Sequence, residues 1–214
     1  MQALYYLGWG ITRISSKLLG RITISGQEHF PGQGGFILAT NHISYFDPPL
    51  VGSWAPREVY FLAKRELFRP VAGWILREVN ALPVRRGAVD RKALQMCLDT
   101  IEDGKGLVIF PEGTRIKRAE MLPPKPGIGR IAVKAGCPIV IGFLWGSDRI
   151  SRVVTGRDPM GIRYAPGLTV EEVLSFSDDK AGWQALAEDV MTRIKSLRDE
   201  VLEELKPDRS QPDK

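Results

Sequence analysis

Short β-rich apolar runs alternate with amphipathic stretches along most of this chain, and no other feature constrains its fold so strongly. The runs lie at 21–25, 36–40, 59–63, 81–84, 107–110 and 139–144, each of strand length. Between them, Leu94, Leu98 and Ile101 form one helical stripe, with Gly104 placed to end it. A longer stripe joins Trp183, Leu186, Val190, Ile194, Leu197, Val201 and Leu205, and Pro207 stops it. Such alternation predicts an α/β fold, a single domain with a largely parallel sheet flanked by helices. No internal repeat or low-complexity linker divides the chain, and 214 residues suit one sizeable core. The expected organisation is one domain over 20–207, an amphipathic helix over 1–19 before it, and a disordered tail at 208–214.

Within residues 2–19, Leu4, Leu7, Ile11, Ile14 and Leu18 recur at helical spacing, with Tyr5, Tyr6 and Trp9 near the start and Arg13 and Lys17 further on. Aromatic rings and basic chains on an apolar helix suit a lipid interface, and the same pattern suits a helix packed on the domain's own core. No apolar run reaches the ~18 residues needed to cross a bilayer, and the N-terminus lacks the basic start and cleavage pattern of a signal peptide. Cys97 and Cys137 stand far apart with no Cys/His cluster nearby, which suits a reduced compartment and gives no metal signature. The expected location is cytoplasmic.

Charge is uneven. From Arg57 to Lys92 there are nine Lys or Arg against four Asp or Glu, a surplus as large as the net +5 of the whole chain. Phosphate groups are a natural partner for such a surface, although each charge singly also fits a solvated face.

Two loops carry chemistry. Asn41-His42-Ile43-Ser44-Tyr45-Phe46-Asp47 follows an apolar strand, where open α/β sheets hold their sites. Asp47 before Pro48 reads as a helix N-cap followed by a first helical Pro. A turn between them can also bring the Asp47 carboxylate to the His42 imidazole, fixing one ring nitrogen and freeing the other to take a proton. The second loop, Phe110-Pro111-Glu112-Gly113-Thr114-Arg115, ends another apolar run. Pro111 stops the strand and Gly113 permits a tight turn, presenting Glu112, Thr114 and Arg115 together. Arg115 offers a planar fork for phosphate oxygens, and Glu112 an acceptor for polyol hydroxyls. Taken alone, this hexapeptide reads first as a surface turn with an ion pair.

Together the two loops resemble the NHxxxxD and FPEGTR motifs of the glycerolipid acyltransferases, and the sequence is similar to bacterial 1-acyl-glycerol-3-phosphate acyltransferases of the PlsC type. Flanking phrases at 26–31, 64–67, 82–86 and 136–140 agree, so the resemblance runs from about residue 20 to about residue 146. Asn80 stands where many members have Gly, and Ile141 where a second Pro is frequent; both departures bear on acceptor choice.

The resemblance implies transfer of a fatty acyl group from acyl-CoA or acyl carrier protein to the sn-2 hydroxyl of 1-acyl-glycerol-3-phosphate, giving phosphatidate. His42 would be the general base and Asp47 its orienting partner. Arg86, Glu112 and Arg115 would hold phosphate and glycerol, with Gly113 shaping the loop, Thr114 would be a further substrate-binding residue, and Lys64 is a further phosphate candidate. It implies no cofactor beyond the thioester co-substrate, no metal and no nucleic-acid partner. The membrane surface, at the cytoplasmic face of the inner membrane, is the implied place of work. An imidazole ordinarily titrates at about 6.5, close to working pH. No GxSxG or catalytic-Cys signature points to a covalent acyl-enzyme. Alternatives are a different lysolipid acceptor, such as a lyso-aminolipid, or a thioesterase in which the pair activates water. Gly127-Ile128-Gly129-Arg130-Ile131-Ala132 fits a dinucleotide fingerprint but follows Pro-rich sequence, so helix packing is expected there. His29 reads as a surface residue.

Overall fold

A computed structural model describes residues 6–10, 13–14, 22–85, 90–115 and 121–206. Seven strands form one sheet: β1 (Ile22–Ser25), β2 (Phe36–Thr40), β3 (Val59–Lys64), β4 (Ala81–Val84), β5 (Gly106–Ile109), β6 (Ile139–Trp145) and β7 (Met160–Leu168). Their order is β1-β7-β6-β2-β5-β3-β4. Every pairing is parallel except β6 with β7. The α/β expectation with its largely parallel sheet therefore holds.

Central strands β2, β5 and β6 are buried along their whole length, as parallel strands covered on both faces must be. Side chains alternate between two cores. Ile37, Ala39, Leu107, Ile109, Ile139 and Ile141 face α3 (Arg91–Glu102), α4 (Gly127–Ala135) and α7 (Lys180–Glu204). Phe36, Leu38, Val108, Val140 and Leu144 face α1 (Asp47–Trp54), which contributes Leu50, Val51 and Trp54. The remaining helices are α2 (Pro70–Glu78), α5 (Ile150–Val154) and α6 (Val170–Leu174). As expected, α3 ends at Gly104 in a left-handed turn, where the Gly104 and Lys105 amides donate to Ile101 and Thr100.

Helix packing is the role of Gly129. A Cβ there would lie 2.0 Å from the Trp183 carbonyl oxygen on α7, so only glycine allows the two helices this close. His29 sits in an exposed 3-10 turn. Among the described residues Asn80 is the one non-glycine residue with positive φ, at 63°, and its side-chain amide donates to Glu58 Oε1 at 3.0 Å. The Gly-to-Asn departure is thus a buried left-handed turn, a conformation that Asn tolerates. Ile141 is fully buried in β6, also a core position.

Among residues 1–19, 6–10 and 13–14 are described, and both pieces are helical. Arg13 stacks on Trp9, 3.8 Å from the ring centroid, and donates to Ser53 O at 3.0 Å, which ties this segment to the end of α1. Tyr6, Leu7 and Ile14 are exposed. The proposed tail at 208–214 lies outside the described residues.

Candidate active site

Topology assembles the site before any side chain does. β6, β2, β5, β3 and β4 are consecutive neighbours running in one direction, so the loops after their C-terminal ends converge. His42 follows β2, Phe110–Arg115 follows β5, Lys64 closes β3, and Ser147 follows β6.

The Asp47 carboxylate is fully buried and has four hydrogen-bond donors. Its Oδ2 accepts from the Ile43 amide at 2.6 Å and the Ser44 amide at 2.8 Å, and lies 2.7 Å from His42 Nδ1. Its Oδ1 accepts the Ser147 hydroxyl at 2.5 Å. With only acceptors on the carboxylate, Nδ1 carries the proton, and Nε2 is left with a free lone pair. The expected N-cap role does not hold: Asp47 is the first residue of α1 and makes no capping bond, because its oxygens turn back to the preceding loop.

Two further contacts hold the imidazole. Its ring stacks on Phe110, centroids 4.1 Å apart. The Asn41 side chain both donates to Leu144 O and accepts from Leu144 N, each at 2.8 Å, fastening the loop to β6.

His42 opens onto a cavity of about 530 Å³. Lys64, Thr114 and Arg115 supply polar lining, whereas Phe61, Leu62, Leu67, Leu76 and Val79 make an apolar wall. Pro48, Pro49 and Gly52 of α1 form another side, and Gly8 and Trp9 of the N-terminal segment close over it. Arg115 lies over the Tyr45 ring, its guanidinium carbon 3.2 Å from the centroid, which joins the two motif loops across the opening. Such a space, mostly apolar with a few convergent polar groups, matches a ligand with a hydrocarbon chain and an anionic end.

Glu112 does not line this cavity. It is 1% exposed, its Oε2 accepts from the Leu122 amide at 3.0 Å, and its Oε1 has no hydrogen-bond partner among the described residues. Burial pushes its carboxyl up to about 7, against the opposing pull of the Leu122 and His42 amides. The structure places Glu112 beneath the loop, tied to the Leu122 amide, and not in the cavity wall where polyol hydroxyls were expected to meet it. Gly113 sits at φ 67°, and a Cβ there would meet the Lys125 side chain at 2.9 Å, so glycine serves both the turn and the approach of that ammonium. Arg86 lies outside the described residues.

Sequence reasoning missed two residues here. Lys125 arrives from the Pro-rich stretch, held by its amide to Pro111 O at 2.9 Å. Ser147 is a hundred residues from Asp47, and no local pattern marks it.

A family model described as Acyltransferase matches residues 21–141, more than half of the chain. This chain belongs to the acyltransferase family. It is 35% identical over 108 residues to the lyso-ornithine lipid O-acyltransferase of Pseudomonas aeruginosa, covering 50% of this chain and 40% of that protein. To the 1-acyl-sn-glycerol-3-phosphate acyltransferase of Bacillus subtilis it is 28% identical over 130 residues, covering 60% of this chain and 64% of the relative. These alignments therefore span about two fifths to just under two thirds of the relatives' length. The crystal structure of the 1-acyl-sn-glycerophosphate acyltransferase PlsC from Thermotoga maritima shares the fold, with a TM-score of 0.68 at 24% identity over 91% of this chain and 79% of that one. Among the described residues, no helix is long and apolar enough to cross a membrane.

Proposed function

We propose that this acyltransferase-family chain moves a fatty acyl group from a thioester, acyl-CoA or acyl carrier protein, to the sn-2 hydroxyl of 1-acyl-glycerol-3-phosphate at a membrane surface. One observation carries the reading: an Asp47-held imidazole faces an apolar cavity whose polar lining comes from Lys64, Thr114 and Arg115.

In the reaction, the acceptor hydroxyl donates to His42 Nε2 and gives up its proton as its oxygen attacks the thioester carbonyl. Asp47 holds Nδ1–H throughout and stabilises the imidazolium. When the tetrahedral intermediate collapses, the C–S bond breaks and the proton on Nε2 passes to the departing thiolate. The ester product leaves and the neutral imidazole returns. Arg115 and Lys64 hold the phosphate and Thr114 borders it, and the motif resemblance assigns Arg86 to the same phosphate. No cofactor enters these steps.

The similarity to a lyso-ornithine lipid acyltransferase supports a second reading, an aminolipid acceptor. Against it, two cations at the cavity, Arg115 and Lys64, suit a phosphate better than a zwitterionic headgroup whose single carboxylate is accompanied by an amine.

The test is a donor-by-acceptor matrix on purified protein, scored by lipid product. Wild type should acylate lysophosphatidate, and His42→Ala should lose turnover while keeping its melting profile. Free fatty acid as the sole product would point to hydrolysis, and a folded His42→Ala protein with wild-type kcat would end the assignment.

A further inference from the structure

Helix α2 has an apolar face on each side. Inward, Leu76 lines the cavity, as does Val79 just past the helix end. Outward, Val71, Trp74 and Ile75 stand at positions i, i+3 and i+4 with exposures of 75%, 55% and 45%, and Leu67, one turn earlier, is 52% exposed. A soluble helix normally turns polar residues outward, so four large apolar side chains on one exposed face need a partner.

Charge and continuity identify that partner. Lys64, Arg65, Arg69 and Arg77 are exposed around the patch, against Glu66 and a half-buried Glu78. Among the described residues none of these four cations forms a salt bridge; Arg77 lies 5.8 Å from the Phe68 ring. Leu67 belongs to both surfaces, since it lines the cavity and stands in the outer row. An apolar ridge with a basic rim, opening into a chain-sized apolar cavity, has the chemistry of a bilayer contact.

We propose that α2 docks on an anionic lipid bilayer, with Val71, Trp74 and Ile75 entering the headgroup boundary and Arg65, Arg69 and Arg77 meeting lipid phosphates. The choice of lipid as occupant rests on the acyl-transfer reading of the cavity. Docked this way, the protein sets the Leu67 rim at headgroup depth, and a one-chain lipid enters without crossing water.

Vesicle co-sedimentation of the full chain tests it, with phosphatidylcholine vesicles prepared with and without phosphatidylglycerol. Val71→Gln/Trp74→Gln should bind anionic vesicles roughly 10-fold or more weakly than wild type, given the apolar surface removed. Arg69→Gln/Arg77→Gln should lose roughly 10- to 30-fold on anionic vesicles and little on neutral ones. Thermal melting of each variant controls for folding. As a second measurement, Val71→Cys can carry an environment-sensitive fluorophore, because Cys97 and Cys137 are buried with thiols pushed up to about 12. Its emission should shift blue on adding anionic vesicles. Wild-type vesicle binding by Val71→Gln/Trp74→Gln, or no emission shift, would overturn the proposal. So would a wild-type dimer that this variant breaks while binding vesicles normally, since the face would then serve a second copy of the chain. Binding needs no turnover, and His42→Ala should bind as wild type does, so failure here is separate from failure of the acyl-transfer reading.

Discussion

Glu112→Gln should make the stability of this protein much less sensitive to pH. The unfolded chain releases the Glu112 proton near its ordinary 4.5, whereas the folded protein holds it to about 7 because burial disfavours the charge. Between those values the native state binds more protons than the unfolded state, so its stability falls as pH rises. The contribution is fully present below 4.5 and lost as pH passes about 7. Carrying a carboxyl across that interval is worth roughly 3 kcal/mol. Glutamine keeps an acceptor for the Leu122 amide and has no proton to lose. Urea unfolding at about pH 5 and about pH 8 should therefore show wild type losing roughly 2.5 kcal/mol more than the variant, since part of the effect is already lost at pH 5. Parallel pH dependence in the two proteins would mean that Glu112 is not held in a desolvated site. A large rise in acceptor KM with unchanged pH dependence would return Glu112 to substrate binding.

Ser147→Ala removes a charge-assisted hydrogen bond to a fully buried carboxylate. It should lower kcat on the order of 10-fold and displace the acid limb of the kcat/KM–pH profile, with partial rescue by Ser147→Thr; a wild-type profile would show that the imidazole needs no support from β6. Arg115→Ala should raise the apparent KM for lysophosphatidate on the order of 10–100-fold, from a lost contact worth ~1.5–3 kcal/mol. Arg115→Lys should recover little of it, since an ammonium lacks the planar face that stacks on Tyr45; an unchanged KM in both would assign Arg115 another task.

Six strands were legible: β2, β5 and β6 as continuous apolar runs that mark strands covered on both faces, and β1, β3 and β4 as shorter or less buried runs of strand-forming residues. β7 was not, because Gly161, Arg163, Pro166 and Gly167 interrupt any apolar period, and its pairing with β6 includes a register shift between Ile139 and Val140. His42, Asp47 and Arg115 were legible as motif residues, and the structure brings His42 and Arg115 to one opening with Asp47 buried behind the imidazole. The burial of Glu112 was not legible, because exposure, unlike identity, is decided by what packs above a turn. Asp47 satisfied the local pattern of an N-cap, yet donors from Ser147 and the Ile43 and Ser44 amides outcompeted the helix for its oxygens. Such long-range competition leaves no trace in residue spacing.

The base and the cations of the site hang from different strands: His42 from β2, Arg115 from β5 and Lys64 from β3. Neighbouring strands sit about 4.8 Å apart, a spacing dictated by backbone geometry and closed to adjustment by side-chain substitution. In the proposed reaction the sheet would thereby act as a ruler, graduated in strand widths, between the point where a hydroxyl is deprotonated and the points where negative charge is gripped. A lipid whose alcohol and anion are separated by the wrong number of bonds would reach one mark and overshoot the other.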